Sequence, residues 1–248
     1  QLIWLSRFAD AFEIYERGLK ALDGSRGPAM AALVSSTGLL LGFSGADGMH
    51  EAGLVQLAEA EDIARECADE RNLGRVNWAR CVLGWSYGQV PESARAGQAA
   101  VEHLRRAGDL WSVTDALAWM AFPVGAEGRF VEGAEAADEA LDLALRLGHV
   151  GGEIMARRGG LLNSIPQTGD LDGLERALRK DLELCTAIRS PWSSQSHAWL
   201  SFVATLRGRF EEGLACAEES IALEPESAWS GIGWASRLAN RAHAGEHA

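Results

Sequence analysis

Apolar residues return along this chain at steps of three and four, as in Leu174, Ala177, Leu178, Leu182 and Leu184-Cys185. That spacing lays one apolar stripe along an α-helix, and no stretch alternates apolar and polar positions as a half-buried strand would. The pattern predicts helices near 9–22, 28–44, 50–67, 71–87, 92–107, 111–126, 131–147, 151–165, 171–188, 192–207, 210–222 and 227–243. These are twelve helices of up to five turns, arranged as antiparallel pairs.

Local chemistry marks their ends. Ser190-Pro191 fits an N-cap with proline at the first helical position, Gly108, Gly148 and Gly208 fit C-terminal stops, and Pro225 ends its helix for want of an amide hydrogen. Pro123 and Pro166 should kink or end theirs. Tryptophan and serine recur together at the starts of three helices, in Trp111-Ser112, Trp192-Ser193 and Trp229-Ser230. There the ring staples the turn and the serine is available as a cap.

The pairs repeat. Gly48, Gly88, Gly128, Gly169 and Gly208 stand about 40 residues apart, each followed by an alanine-rich helical run, and self-similarity at such a period is the signature of a helical array. An apolar or aromatic residue sits two places after most of them, in Gly128-Arg129-Phe130, Gly169-Asp170-Leu171 and Gly208-Arg209-Phe210. Arg7-Phe8-Ala9-Asp10 reads as the same element one period earlier, without its preceding helix. The expectation is therefore a segment of a longer polypeptide that opens in mid-repeat at Gln1. The units are a partial repeat over 1–26, repeats near 27–69, 70–108, 109–148, 149–189 and 190–225, and a terminal helix over 226–248. No linker or low-complexity tract divides them, which predicts one elongated domain over 1–248 whose stability comes from stacking of neighbours.

Composition narrows the function. Of the residues 47% are hydrophobic and 23% charged, ordinary usage for a packed globular body. The net charge of −12, with no basic run longer than Arg105-Arg106 or Arg157-Arg158, opposes a phosphate-backbone partner, so no nucleic-acid binding is expected. No apolar run approaches the length of a membrane span. Cys67, Cys81, Cys185 and Cys216 are far apart and fall in helical patterns, as reduced thiols of a cytoplasmic protein would. Arginine takes all but two of the 23 basic positions alongside abundant alanine and glycine, a bias that suits a high-GC bacterial genome.

The last full repeat resembles the tetratricopeptide repeat. Leu200 and Ser201 fall on the large–small pair of its first helix, Gly208 on the turn, Phe210 on the aromatic after it, Gly213 and Ser220 on small positions, and Leu223 and Pro225 at the close. His197 stands where the pattern has a bulky apolar residue, and Ala204 where it has an aromatic. A period of 40 rather than 34 is similar to the long arrays of bacterial signalling ATPases, regulators like the maltose-regulon activator, and ATPase-linked adenylate cyclases. The resemblance implies an all-α, right-handed superhelical solenoid in which the first helix of each pair lines the concave wall. Carried over by register from each glycine, it places Arg75, Trp78, Val82, Trp85, Asp115, Phe122, Asn163, Gln167, Gln195 and Phe202 on that wall. Such a groove of rings and scattered polar groups suits a peptide or helix. Packing between neighbouring helices is the other reading of each ring, and Trp119 and Trp199, two repeats apart, fit structural wedges.

Catalytic motifs are sparse. Gly42-Phe43-Ser44-Gly45-Ala46 lacks the final glycine of a nucleophile elbow and follows no strand, and no Gly-Lys-Ser/Thr loop accompanies the glycines at 38, 42, 45 and 48. Close helix packing and a loose turn explain those glycines. Histidines 50, 103, 149, 197 and 243 stand singly in separate repeats; only His243 and His247 could share a helical face, so no metal site is expected. Glu59, Glu61, Asp62, Glu211, Glu212, Glu218 and Glu219 read as solvated charge on outer faces. The reading is a non-enzymatic interaction or sensing scaffold without cofactor, whose partner is a protein, a peptide or another domain of the same parent chain. A small-molecule pocket inside the superhelix is the alternative. Self-association through the N-terminal half-repeat around Leu5, Phe8, Phe12 and Tyr15 is a further expectation.

Overall fold

The computed structural model describes residues 8–22, 24–43, 48–190, 192–223 and 231–243. Every described regular element is an α-helix: α1 (Phe8–Leu22), α2 (Pro28–Phe43), α3 (Met49–Glu66), α4 (Glu70–Ser86), α5 (Val90–Arg106), α6 (Leu110–Ala126), α7 (Phe130–Leu147), α8 (Val150–Thr168), α9 (Leu171–Ala187), α10 (Ser193–Leu206), α11 (Phe210–Leu223) and α12 (Gly231–His243). The twelve predicted helices are all present. The chain forms two compact units, residues 7–167 and 168–248. In the first, α2 pairs with α3, α4 with α5 and α6 with α7, while first helices α2, α4 and α6 also stack on one another. In the second, α10 pairs with α11, and α12 packs on both. This is a fold of helical repeats.

Among the described residues, a left-handed backbone residue follows each helix from α1 to α10, about every 20 residues. Most are glycine, including Gly88, Gly108, Gly128, Gly148 and Gly208, but Ala68 (φ 51°) and Arg189 (φ 53°) hold the same place. The geometry is the same whatever the side chain. The Ala68 amide donates to the Arg65 carbonyl at 3.1 Å and the Asp69 amide to that of Ala64 at 2.9 Å; Arg189 and Ser190 repeat this with Thr186 and Cys185. These paired bonds satisfy carbonyls that a helix end would leave orphaned.

The residue after the left-handed positions at 68, 108 and 148 caps the first helix that follows. Asp69 accepts the Asn72 amide at 3.1 Å and Asp109 that of Ser112 at 3.2 Å. His149 does the same with Nδ1 toward the Gly152 amide at 3.2 Å. Ser190 Oγ accepts the Trp192 amide at 3.3 Å; Pro191, Trp229, Ser230 and Pro225 lie outside the described residues.

The two prolines lie near the ends of their helices without stopping them at once. Helix α8 runs through Pro166 to Thr168, and α6 through Pro123 to Ala126. Each proline sits in or beside its helix's last turn, so few downstream hydrogen bonds depend on the one it removes. The glycines at 38 and 42 serve close packing. A Cβ on Gly53 of α3 would lie 2.5 Å from the Gly38 carbonyl oxygen and 2.8 Å from the Gly42 nitrogen, so these helices meet backbone to backbone. Ser44 and Gly45 lie outside the described residues.

Candidate functional site

On the first helices of the 7–167 unit, packing sorts the predicted aromatic row. Phe122 is 8% exposed, and its ring centroid lies 5.8 Å from that of Trp85 and 6.0 Å from that of Trp119, in tilted contacts. Phe122 and Trp119 are thus core residues, whereas Trp85 and Trp78 are half-buried. The Trp78 indole nitrogen is buried without an acceptor, which fits a ring wedged between helices. Both Trp78 and Trp85 keep part of their surface open to solvent.

Arg75 and Asp115 belong to one recurring device at the start of the first helices. Two side chains of a first helix, one turn apart, grip the cap residue of the next first helix. Arg71 Nε and Arg75 Nη2 lie 3.3 and 3.4 Å from Asp109 Oδ2. One repeat on, Trp111 stacks on His149, with ring centroids 4.0 Å apart and planes 12° from parallel, while Asp115 Oδ1 lies 3.0 Å from His149 Nε2. An amide donates to Nδ1, so that nitrogen carries no proton and Nε2–H faces the carboxylate. His149 is buried, and its cap position after Gly148 was the available sequence signal. Taken from sequence as an isolated histidine, it joins Trp111, Asp115 and the Gly152 amide.

Arg75 also lines an open cleft of about 470 Å³ with Pro28, Ala29, Ala32, Glu70 and Asn72. Its charges are matched internally. Glu70 meets His103 Nδ1 at 2.6 Å and Arg106 Nε at 2.9 Å, and these contacts hold its carboxyl below the usual range. Asn72 Nδ2 donates to the Pro28 carbonyl at 2.8 Å and to Asp69 at 2.6 Å.

Asn163 is removed from the groove by packing. It is 2% exposed and donates from Nδ2 to the Ala121 carbonyl at 2.9 Å and the Gly159 carbonyl at 2.8 Å, while Oδ1 lies against Gly125 and Gly133. It is a wedge between α6 and α7, admitted because both neighbours lack a Cβ. Gln167 is exposed beside a cleft of about 330 Å³ lined by Gly128, Arg129, Phe130, Val131 and Glu132, and donates to the Asn163 carbonyl at 2.9 Å.

In the 168–248 unit, Gln195, Trp199, Phe202 and Leu206 share one face of α10 by helical spacing. Gln195 is buried, Trp199 half-buried, and Phe202 and Leu206 exposed. Phe202 meets Trp199 edge-on with centroids 6.0 Å apart. This is the most accessible apolar surface among the predicted positions.

Several carboxylates taken for solvated charge are instead paired between helices. Glu61 meets Arg80 at 2.6 Å and Glu212 meets Arg179 at 3.4 Å. Glu175 accepts from Arg209 at 2.7 Å and from Arg179 at 2.5 Å, and these two guanidinia lower its carboxyl to about 2. Burial pushes the Cys81 thiol up to about 12, so it is inert. Among the described residues no group of three His, Cys, Asp or Glu side chains could hold a metal ion, and no helix is long and apolar enough to cross a membrane. Leu5 and Phe8 fall outside the described side chains; Phe12 and Tyr15 are half-buried.

No family model matches the chain, and no curated protein matches it. Solved structures do. BtubC (BKLC) from P. vanneervenii superposes with a TM-score of 0.60 at 17% identity, covering 90% of this chain and 90% of that one. The apo form of RapI superposes with a TM-score of 0.55 at 10% identity, covering 89% of this chain and 71% of that one. At such identities the likeness is one of fold, and it agrees with the helical-repeat architecture seen here.

Proposed function

We propose that this chain is a non-catalytic interaction or sensing scaffold whose first helices receive a peptide or protein helix, within a larger bacterial signalling or regulatory protein of the cytoplasm. One observation carries the reading. Phe202 and Leu206 stand exposed one turn apart on the predicted inner face of α10, with Trp199 beneath them. An accessible row of apolar side chains at i, i+3 and i+7 spacing is what an incoming helix or extended peptide buries. Trp85, half-buried against Phe122, offers a second anchor on α4. The apo state named for RapI is consistent with a fold that takes ligands. A ligand spanning repeats would favour one curvature of the stack and bias an attached output domain.

The test is selection of binders from a random peptide library on the intact chain. Each selected peptide should lose about tenfold or more in affinity to either Phe202→Ala or Trp85→Ala, with helicity unchanged. Equal affinity for the parent and both variants would refute the reading.

A further inference from the structure

Helix α12 carries an apolar face that the groove does not use. It packs on α10 and α11 through Gly233, Ser236 and Asn240: Asn240 Nδ2 donates to Thr205 Oγ1 at 2.8 Å, and its Oδ1 lies against Gly213. At 100° per residue, Trp234 and Leu238 fall on the opposite side of the helix. They are 42% and 67% exposed.

Cations flank this stripe. Arg237 lies over the Trp234 ring, 5.2 Å from its centroid, and reaches Glu218 only at 3.9 Å; its Nε is buried without a hydrogen-bond partner. Arg241 approaches the same carboxylate at 3.7 Å, and His243 stacks on Phe210 at 4.8 Å. Helix α12 has no acidic residue at all, in a chain whose net charge is −12. An exposed apolar stripe flanked by arginines on a helix without acids suits an apolar partner that brings carboxylates.

The chain shows what such a partner looks like. Second helices seat on first helices throughout the fold, as α11 does on α10, where Ser201 Oγ donates to the Gly213 carbonyl at 2.6 Å and Ser194 Oγ to that of Ser220 at 3.0 Å. Three of them, α3, α7 and α11, are acidic; α7 carries Glu132, Glu135, Asp138, Glu139 and Asp142 against Arg146. We propose that the Trp234–Leu238 face docks an acidic amphipathic helix of a partner protein, seated on α12 as a second helix seats on its first, with carboxylates meeting Arg237 and Arg241. This surface is separate from the Phe202 groove.

The experiment uses the 1–248 protein and, as probe, a labelled, end-blocked peptide with the sequence of residues 130–147, followed by fluorescence anisotropy. Saturable binding below about 1 mM is expected, weakened about tenfold or more by Leu238→Glu and by Arg237→Glu. It should survive Phe202→Ala, and a peptide with its acids changed to amides should not bind. Leu238 is exposed, so its variant keeps the fold, as circular dichroism would verify. Absence of saturable binding, or equal affinity for Leu238→Glu, overturns the proposal. So does a concentration-dependent dimer that Leu238→Glu dissolves, since a second copy would then fill the face.

Discussion

His149 lies beneath Trp111 with the two rings nearly parallel and 4.0 Å apart, while its Nδ1 caps the helix that it begins. One side chain thus joins two repeats, where Asp109 does the same work through Arg71 and Arg75 one period earlier. His149→Ala should cost about 1–3 kcal/mol, adding the loss of a cap to that of a buried ring contact. His149→Asp, which restores the cap of the preceding repeat, should recover about 1 kcal/mol of that loss. Urea unfolding followed by tryptophan fluorescence measures both.

Ala68 and Arg189 occupy left-handed backbone that glycine fills at equivalent turns. An L side chain is strained there by roughly 1–2 kcal/mol. Ala68→Gly and Arg189→Gly should therefore each raise stability, by about 0.5–1 kcal/mol after the extra chain entropy of glycine is subtracted. Gly88→Ala should lower it by about 1 kcal/mol, although a Cβ at Gly88 would meet nothing within 4 Å. Thermal midpoints of the three variants decide the sign.

Gly213 and Gly133 are needed for another reason, since a Cβ at either would collide with the carboxamide of Asn240 or Asn163. Gly213→Ala should destabilise by about 1–3 kcal/mol through overpacking. Combined with Asn240→Ala it should cost less than the sum of the single changes, because the collision is then gone. A double-mutant cycle in denaturant reads that coupling directly.

Glu175, held by Arg209 and Arg179, titrates at about 2 in the folded protein against an ordinary 4.5. A carboxyl lowered by folding adds stability that is fully present above its unfolded value and is lost as pH falls through its folded value. The loss belongs to the window from about pH 4.5 down to about pH 2. Glu175→Gln should flatten the acid limb of stability over that window and leave the response near pH 8 unchanged in slope. Unfolding midpoints across pH would show it.

The helices were legible because their signals are local. The three- and four-residue apolar steps, the stop glycines and the cap residues all act within one or two turns, and all twelve predicted helices are found. Extension of α8 past Pro166 was not legible, because a proline near a helix end breaks almost nothing that follows it. Nor was the inter-repeat pairing of Glu61 with Arg80 and of Glu212 with Arg179, since a carboxylate on an outer helix face reads the same in sequence whether or not an arginine of another helix lies beside it.

Phe122 and Phe202 show where local information stops. Each stands six residues before its glycine, with Trp119 and Trp199 nine before the same glycines, yet Phe122 is packed under Trp85 and Phe202 is exposed. By itself the sequence determined a helical repeat with a period near 40, because helix propensity, capping and left-handed stops depend on adjacent residues. Only the tertiary structure decided which ring, carboxamide or histidine is buried and which can meet a partner, because burial is set by side chains one repeat away, and nothing in a residue's own neighbourhood records what lies across from it.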